Sequence, residues 1–459
     1  MSGFQPAHAI LELGPDFYDP VAAADFPATI LRFRNDRAAA TVGLETLSDA
    51  DWISHFARFA PLPGSLPTPL ALRYHGHQFR SYNPDLGDGR GFLFAQLYDD
   101  RARLLDLGTK GSGQTPWSRA GDGRLTLKGG VREVLATEML TALGVETSQT
   151  FSLIETGEAL ERGDEPSPTR GAVLVRLSHS HIRYGTFQRL GMLGAADDMA
   201  RLTDYVLRHY FAGTPRSDPY AALIDVAVTG AARQAAAMMA AGFVHGVLNT
   251  DNINITGESF DYGPYRFAPT FDADFTAAYF DHHGLYSFGR QPEALEWNVY
   301  QLAGALRLVA PTEALAPALK AFPDRYAAAF EAAMLARLGV EPCRADDAAL
   351  VEALVAALVA SGAGLDRFWF DWRGGALRTP TTAYDGVEFG DFRAAVARYR
   401  PAVSLDHDYW RDAEPCGLPI AEIESIWAAI ADADDWRAFD AKIAAIRRMG
   451  AAMGMPLSA

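Results

Sequence analysis

Cysteine is almost absent from this sequence: among 459 residues there are two, Cys343 in "VEPCRADD" and Cys416 in "AEPCGLP". A disulfide framework and a CxxC metal site are thereby excluded, and a reducing compartment, the cytoplasm, is the expectation. A long apolar run is also missing. The most apolar stretch, Ala353 to Leu365, is too short to cross a bilayer, and its Leu350, Leu354, Leu358 spacing predicts a buried amphipathic helix. The first twenty residues contain no basic segment followed by an apolar one, so no secretory signal is read. Positive charge is in deficit, with 41 Lys and Arg against 57 Asp and Glu and a net charge of −16. That balance argues against broad nucleic-acid or anionic-membrane binding, because both need a positive surface. The histidine pairs His75/His77, His179/His181 and His282/His283 match no zinc spacing, so hydrogen-bonded structural histidines are expected. Around Lys110 there is neither a G-x4-G-K-[ST] loop nor a nucleophile elbow at Ser112, which disfavours a Walker-type NTPase and a serine hydrolase.

What is present is the composition of a globular protein, 49% hydrophobic and 21% charged, long enough for two or three domains or one bilobed enzyme with additions. Up to about residue 85, short helical patterns alternate with Pro-containing connections, and no chemistry is legible there. From residue 87 short β-like runs follow, "GFLFAQLYD", "RARLLDLGTK" and "AVLVRLS". Between them "GGVREVLATEMLTALGV" has helical periodicity, with Gly144 as a C-terminal stop. Beyond about residue 191, Ala-rich helical patterns dominate. A small β-rich lobe therefore precedes a larger helical one.

Chemistry-bearing residues fall in a telling order. "LGDGRG" supplies Gly87, Gly89 and Gly91 in a turn that leads into a strand, a geometry that brings backbone N–H groups to phosphate oxygens. The next strand ends at Lys110, and the helix after it carries Glu133. Protein kinases use these three parts: a glycine-rich loop over the phosphates, a strand lysine that binds them, and a helical glutamate that orients the lysine. Arg90, Arg176 and Arg183 add guanidinium forks suited to polyphosphate oxygens. The Asp122-Gly123 turn either touches a nucleotide or is structural.

Residues 245–263, "HGVLNTDNINITGESFDYG", complete the pattern and break it. Kinases carry H-R-D-x-x-x-x-N followed by D-F-G, with the first Asp as proton acceptor and the Asn and second Asp on magnesium. His245 and Asn252 keep that separation and Asp261-Tyr262-Gly263 stands for D-F-G, but Val247 occupies the place of the base. A carboxylate need only reach the attacking hydroxyl, whatever its register, so Asp251 can take the role; alternatively it caps a turn. Asn252 and Asp261 remain as oxygen ligands for Mg2+ or Mn2+.

With "YHGHQF…NPDLGDGR", "LGTKGSGQTPWSRAGDGR", "VREVLATEML", "VRLSHSHIRYGTF" and "QPEALEWNVYQLAGAL" added to this loop, the sequence resembles the selenoprotein O family over most of residues 70–310. The resemblance implies an α+β, protein-kinase-like bilobed fold and a protein adenylyltransferase. It divides the chain into an N-terminal extension (1–85), a kinase-like N-lobe (86–190), a kinase-like C-lobe with the catalytic and metal loop (191–310) and a helical end of the C-lobe (311–459). It implies ATP contacts from Gly87, Gly89, Arg90, Lys110, Asp122, Gly123, Arg176, Arg183 and Asp261. Glu133 would orient Lys110, Asn252 and Asp261 would bind the metal, and Asp251 would be the catalytic base. ATP would lie reversed relative to kinases, so that AMP passes to Ser, Thr or Tyr hydroxyls of protein substrates and pyrophosphate leaves. A monomeric enzyme is expected. Two departures concern the C-terminal part: "RYRPAVSLDHDYW" stands where the family has N-P-x-x-x-L-R-N, and "MGMPLSA" lacks a terminal cysteine or selenocysteine. A redox-active terminus is therefore not expected, and Cys343 and Cys416 read as two reduced thiols. The competing readings are a conventional γ-phosphate kinase and, because of Val247, an inactive nucleotide-binding scaffold.

Overall fold

A computed structural model describes residues 3–163 and 165–454. Most of "MGMPLSA", on which the terminal-cysteine expectation falls, lies outside the described residues. The N-terminal half is built on a nine-stranded antiparallel sheet. Its strands run in the order Tyr18–Pro20, Leu70–Leu72, Leu93–Tyr98, Leu104–Lys110, Thr169–Ser178, Gln149–Leu160, Ile30–Arg34; Gln5–Ala7 pairs beside Leu93–Tyr98 and Leu125–Thr126 beside Thr169–Ser178.

Period-two alternation along these strands decides which residues reach the site. Leu105, Leu107, Val173, Val175 and Leu177 point to one face, where Trp52, Phe56 and Phe151 of the N-terminal region cover them. Leu104 and Leu174 point to the other face, and Lys110 and Arg176 stand in the same phase as these two. Opposite that face lies the helix Leu127–Ala142, capped by the Thr126 hydroxyl, which accepts from the Gly129 N–H at 3.1 Å. Gly144 follows with φ +78°, a left-handed turn that ends the helix where the sequence predicts.

The C-terminal half is helical. The long helix Pro219–Ala241 starts at the Asp218 cap with proline in its first turn and stops at left-handed Gly242, delivering the chain into the loop 245–263. Gln291–Leu306, Thr312–Lys320 and Phe322–Leu338 pack around it, and Asp347–Ser361 packs on the last of these, burying Leu350, Leu354 and Leu358 as their spacing predicts. Sheet with its glutamate helix, hinge, then helical lobe is the α+β, protein-kinase-like bilobed arrangement. Among the described residues no helix is long and apolar enough to cross a membrane.

The lobe assignments expected from sequence differ from the structure at both ends of the chain. Residues 1–85 are not merely packed on the core: they supply four strands of the main sheet. The last two helices, Ile420–Ala433 and Arg437–Ala452, do not extend the C-lobe but clasp the N-lobe. Arg447 grips Glu138 with two hydrogen bonds of 2.6 and 2.8 Å, Lys128 reaches Glu424 at 2.7 Å, Arg170 reaches Asp434 at 2.7 Å, and Phe439 meets Phe33 edge-on. A Cβ at Gly450 would crowd the Ala142 backbone at 3.2 Å, so glycine permits the closest approach of the two helices.

Arg447→Ala leaves the nearly buried Glu138 carboxylate without its fork. The expected loss is about 2 kcal/mol, the scale of hydrogen bonds to charged groups, read as a lower thermal unfolding midpoint. Arg447→Lys, which keeps the charge but not the paired geometry, is expected to recover only part of it.

Candidate active site

Lys110, at the end of its strand, donates to Glu133 Oε2 at 2.5 Å, and its ammonium lies 3.2 Å from Asp261 Oδ1. Arg176, on the neighbouring strand, and Arg183, in the connection between the lobes, each bond to one oxygen of the same Asp261 carboxylate. The two guanidiniums lie over the Phe260 ring at 4.9 and 4.6 Å, and Arg183 also sits 4.7 Å from Tyr74. Burial works to raise the Asp261 pKa, but the charges of Arg176, Arg183 and Lys110 outweigh it and hold the carboxylate well below its ordinary range. Asp261 adopts φ +65°, a left-handed conformation uncommon for a non-glycine residue. Burial pushes the Lys110 pKa down, with Glu133 and Asp261 opposing.

Lys110, Arg176, Arg183, Asp261 and Tyr74 line an inner cavity of about 210 Å³, together with Gly89, Arg90, Val247 and Asn252. Asn252 donates its amide to the Val247 carbonyl at 2.9 Å, which leaves the amide oxygen as its uncommitted polar end. A second, outer cavity of about 700 Å³ shares Tyr74, Gly89 and Arg90 with the first and is lined by Trp117, Asp122, Gly123, Arg162 and Asp251. Asp251 therefore opens on the outer space and the cation cluster on the inner one. Its Oδ1 is buried with no hydrogen-bond partner, and burial raises its pKa to about 6. Gly76 allows this position: a Cβ there would lie 2.9 Å from the Asp251 Cβ.

The structure thus brings together Gly89, Arg90, Lys110, Glu133, Arg176, Arg183, Val247, Asn252 and Asp261, with Asp251, Gly87, Asp122 and Gly123 on the adjoining cavity. Gly87 and Gly89 have a structural reason of their own, because side chains there would collide with Trp117. Asp122 is engaged by Arg162 at 2.8 Å, on the outer wall. Of the histidine pairs, His75 is tied to the Tyr82 hydroxyl at 2.7 Å, His77 to Gln188 at 2.8 Å, and His181 Nε2 to Arg176 at 3.1 Å, whereas His282 and His283 are exposed rather than the hydrogen-bonded structural residues expected. Cys343 is exposed and Cys416 half-buried, and both are free thiols.

Sequence reasoning missed several participants. Asp88, inside the glycine turn, accepts from the Leu72 N–H at 3.0 Å and lies 3.7 Å from Arg183; burial raises its pKa to about 6. The hairpin of Gly76–Gln78 and Ser81–Asn83 lies on the catalytic loop. The His77 N–H donates to the Thr250 hydroxyl at 2.6 Å, the Phe79 N–H to Asn249 at 3.0 Å, and Gln78 bonds to Asp251. Small hydroxyl and amide residues in "LNTDN" were the available signal, since such a loop needs partners for its side chains.

The family model for protein adenylyltransferase SelO matches residues 3–386. A protein nucleotidyltransferase YdiU from Synechocystis is 45% identical, covering 94% of this chain and 95% of its own, and one from Gloeobacter violaceus is 47% identical, covering 97% and 95%. Among solved structures, ROP2 from Toxoplasma gondii, described as having a protein-kinase fold and no enzymatic activity, covers 80% of this chain and 92% of its own at 12% identity. Its TM-score of 0.27 is too low to carry any weight. With a family model spanning most of its length and relatives near half identity over nearly all of it, the chain belongs to the protein adenylyltransferase SelO family.

Proposed function

We propose that this chain transfers AMP from ATP to Ser, Thr or Tyr hydroxyls of proteins, with Asp251 as proton acceptor and the Lys110–Arg176–Arg183 cluster as holder of the distal phosphates. The observation that carries the reading is the convergence of Lys110, Arg176 and Arg183 on Asp261 at the inner cavity, while the buried Oδ1 of Asp251, which has no hydrogen-bond partner, lies at the outer one. Distal phosphates held by the cations leave the α-phosphate toward the junction of the cavities and the nucleoside toward Trp117, Asp122 and Gly123. The acceptor oxygen attacks the α-phosphorus, its proton passes to Asp251, the bond from that phosphorus to the bridging oxygen breaks, and pyrophosphate departs. Positioning and charge stabilisation supply most of the acceleration, as in phosphoryl transfer generally. Gly89 and Arg90, at the boundary of the cavities, contact the phosphates, and Glu133 keeps Lys110 aimed at them.

The donor set fits a hard divalent cation. Asn252 presents an amide oxygen because Val247 takes its NH2, and Asp261 adds a carboxylate once phosphate oxygens replace it as partner of the arginines. Two protein oxygens on one cavity wall suit Mg2+, or Mn2+, which complete their shells with phosphate and water. Such an ion would neutralise phosphate charge during transfer.

Incubation with ATP labelled at the α or the γ position tests the assignment: label on protein from α-ATP is expected, and label from γ-ATP alone would sink it in favour of a kinase. Asp251→Asn is expected to lower transfer by about 10²- to 10⁴-fold, the usual worth of a positioned base, and an unchanged rate would point to a scaffold role for the loop. Its pH dependence follows from the raised pKa. The base works only ionised, so the transfer rate should climb through about pH 6 and level off above it. The effect on stability has the opposite sign. A folded-state value near 6 against 3.8 unfolded favours the folded protein fully below about pH 4, and that contribution is lost as pH rises through 6. At pH 7.5, then, Asp251→Asn should unfold at a temperature no lower than the wild type while having lost its activity.

A further inference from the structure

The hairpin that touches Asp251 makes its turn through Phe79 and Arg80, and both are left-handed, with φ +49° and +63°. Two consecutive positive-φ positions favour Asn-Gly or Gly-Gly, and a large side chain at each is strained by about 1 kcal/mol or more. Arg80 donates to Glu293 at 2.9 Å and lies 5.5 Å over the Trp297 ring, but Phe79 belongs to none of the three hydrophobic cores. It is instead the inner end of a row of aromatic rings. Tyr286, whose hydroxyl donates to Asn249 at 2.8 Å, lies 5.0 Å from Phe79; Phe79 lies 5.8 Å from Phe280, and Phe280 lies 5.1 Å from Tyr279. Exposure grows outward along the row, 36% at Phe79, 41% at Phe280 and 78% at Tyr279. Phe280 and Tyr279 likewise lie outside the three cores.

Single exposed apolar residues are ordinary on a protein surface, but a contiguous set beside a catalytic loop marks a place of contact. Gln78 lines the outer cavity with Asp251, and Phe79 and Tyr286 both bond to Asn249, two residues from Asp251, so the row starts beside that cavity and runs onto the surface. We propose that Phe79, Phe280 and Tyr279 form a ledge that seats an apolar or aromatic side chain of the protein substrate, a few residues from the hydroxyl presented to Asp251. This rests on the reading of Asp251 as the acceptor-side residue. The occupant is an extended segment of the substrate, because the ledge starts on the loop of Asn249 and Asp251, beside the cavity into which the hydroxyl must reach. An aromatic row binds such a side chain at small entropic cost, since its own rings have few rotatable bonds.

The test uses position-scanned Ser, Thr and Tyr peptides as acceptors with the full-length protein and α-labelled ATP. Peptides with Phe, Tyr, Leu or Met within about four residues of the hydroxyl are expected to be modified at least tenfold more efficiently than those with Gly or Ser there. In Tyr279→Ala/Phe280→Ala the acceptor KM should rise about tenfold, with kcat at saturating acceptor and the KM for ATP little changed. Phe79→Asn puts a residue that tolerates the left-handed conformation at the turn and keeps the Arg80 contacts with Glu293 and Trp297, so its thermal midpoint should hold while its acceptor KM increases in the same way. A library with no apolar preference, one in which no peptide is labelled, or variants whose acceptor KM is unmoved would overturn the ledge. If only γ-label reaches the peptides, the adenylyl-transfer reading falls, and the same comparison run with γ-label still decides the ledge.

Discussion

One carboxylate holds the two lobes in register. Lys110, Arg176 and Arg183 are buried cations from two strands and the inter-lobe connection, and all three converge on Asp261 from the loop of the helical lobe. Like charges this close, in a medium less polar than water, repel strongly unless an anion lies among them, and a buried charge stripped of its partner costs several kcal/mol. Asp261 supplies that anion, and its left-handed backbone turns it toward the cluster. In the proposed reaction a triphosphate brings more negative charge to the same cations than one carboxylate can. In that proposal the nucleotide would free Asp261 to hold a metal, so that the counterion of this site and the proposed metal ligand would be one residue.

Two further devices keep the parts of the cluster at fixed distances. On the catalytic side, the Gly76–Asn83 hairpin ties the backbone of residues 77–79 to Asn249 and Thr250, while Asn298 of the following helix donates to the Leu248 carbonyl at 2.8 Å. On the lysine side, the two C-terminal helices clamp the helix that carries Glu133. In the kinase pattern that helix must be in place for the lysine to be aimed. Here the Arg447–Glu138 pair, Glu424 with Lys128 and Arg132, and a glycine-to-alanine backbone approach hold it from the end of the chain. The N- and C-terminal segments thus serve the same site from opposite sides, although neither contains a residue of the cation cluster.

How much of this was legible in the sequence follows from the range of each interaction. Lys110 and Arg176 could be placed because alternation along a strand is a local property, and Glu133 because helical period and a glycine stop are local too. The helix Asp347–Ser361 came from its leucine spacing for the same reason. What escaped was non-local. The strands Gln5–Ala7, Tyr18–Pro20 and Leu70–Leu72 are three residues each, too short to show alternation, and they exist as strands only because the sheet edge beside them supplies hydrogen bonds. Asp88 was hidden in a glycine turn whose acid reads as solvated until Leu72 and Arg183 close over it. The docking of residues 420–452 on the N-lobe depends on Arg447 meeting a glutamate 309 positions earlier, which no window along the chain reveals.

The valine at 247 follows from the same charge arrangement. Its side chain lines the inner cavity, among the cations that would hold distal phosphates, and its carbonyl fixes the Asn252 amide. A carboxylate at that position would stand in the inner cavity as a second anion, competing with phosphate for Lys110 and the arginines and far from any hydroxyl approaching through the outer cavity. Asp251 stands at the outer cavity instead, out of reach of the ammonium of Lys110 but with Arg183 donating to its backbone oxygen at 2.6 Å. Under the proposed function, the absence of the acid at 247 and its presence at 251 would be two sides of one change, which would keep the proposed metal ligands in kinase register and put the proton acceptor at the cavity where the α-phosphate would lie. The cost is a buried carboxylate with an unpaired oxygen, the atom that the acceptor proton would have to find in that proposal.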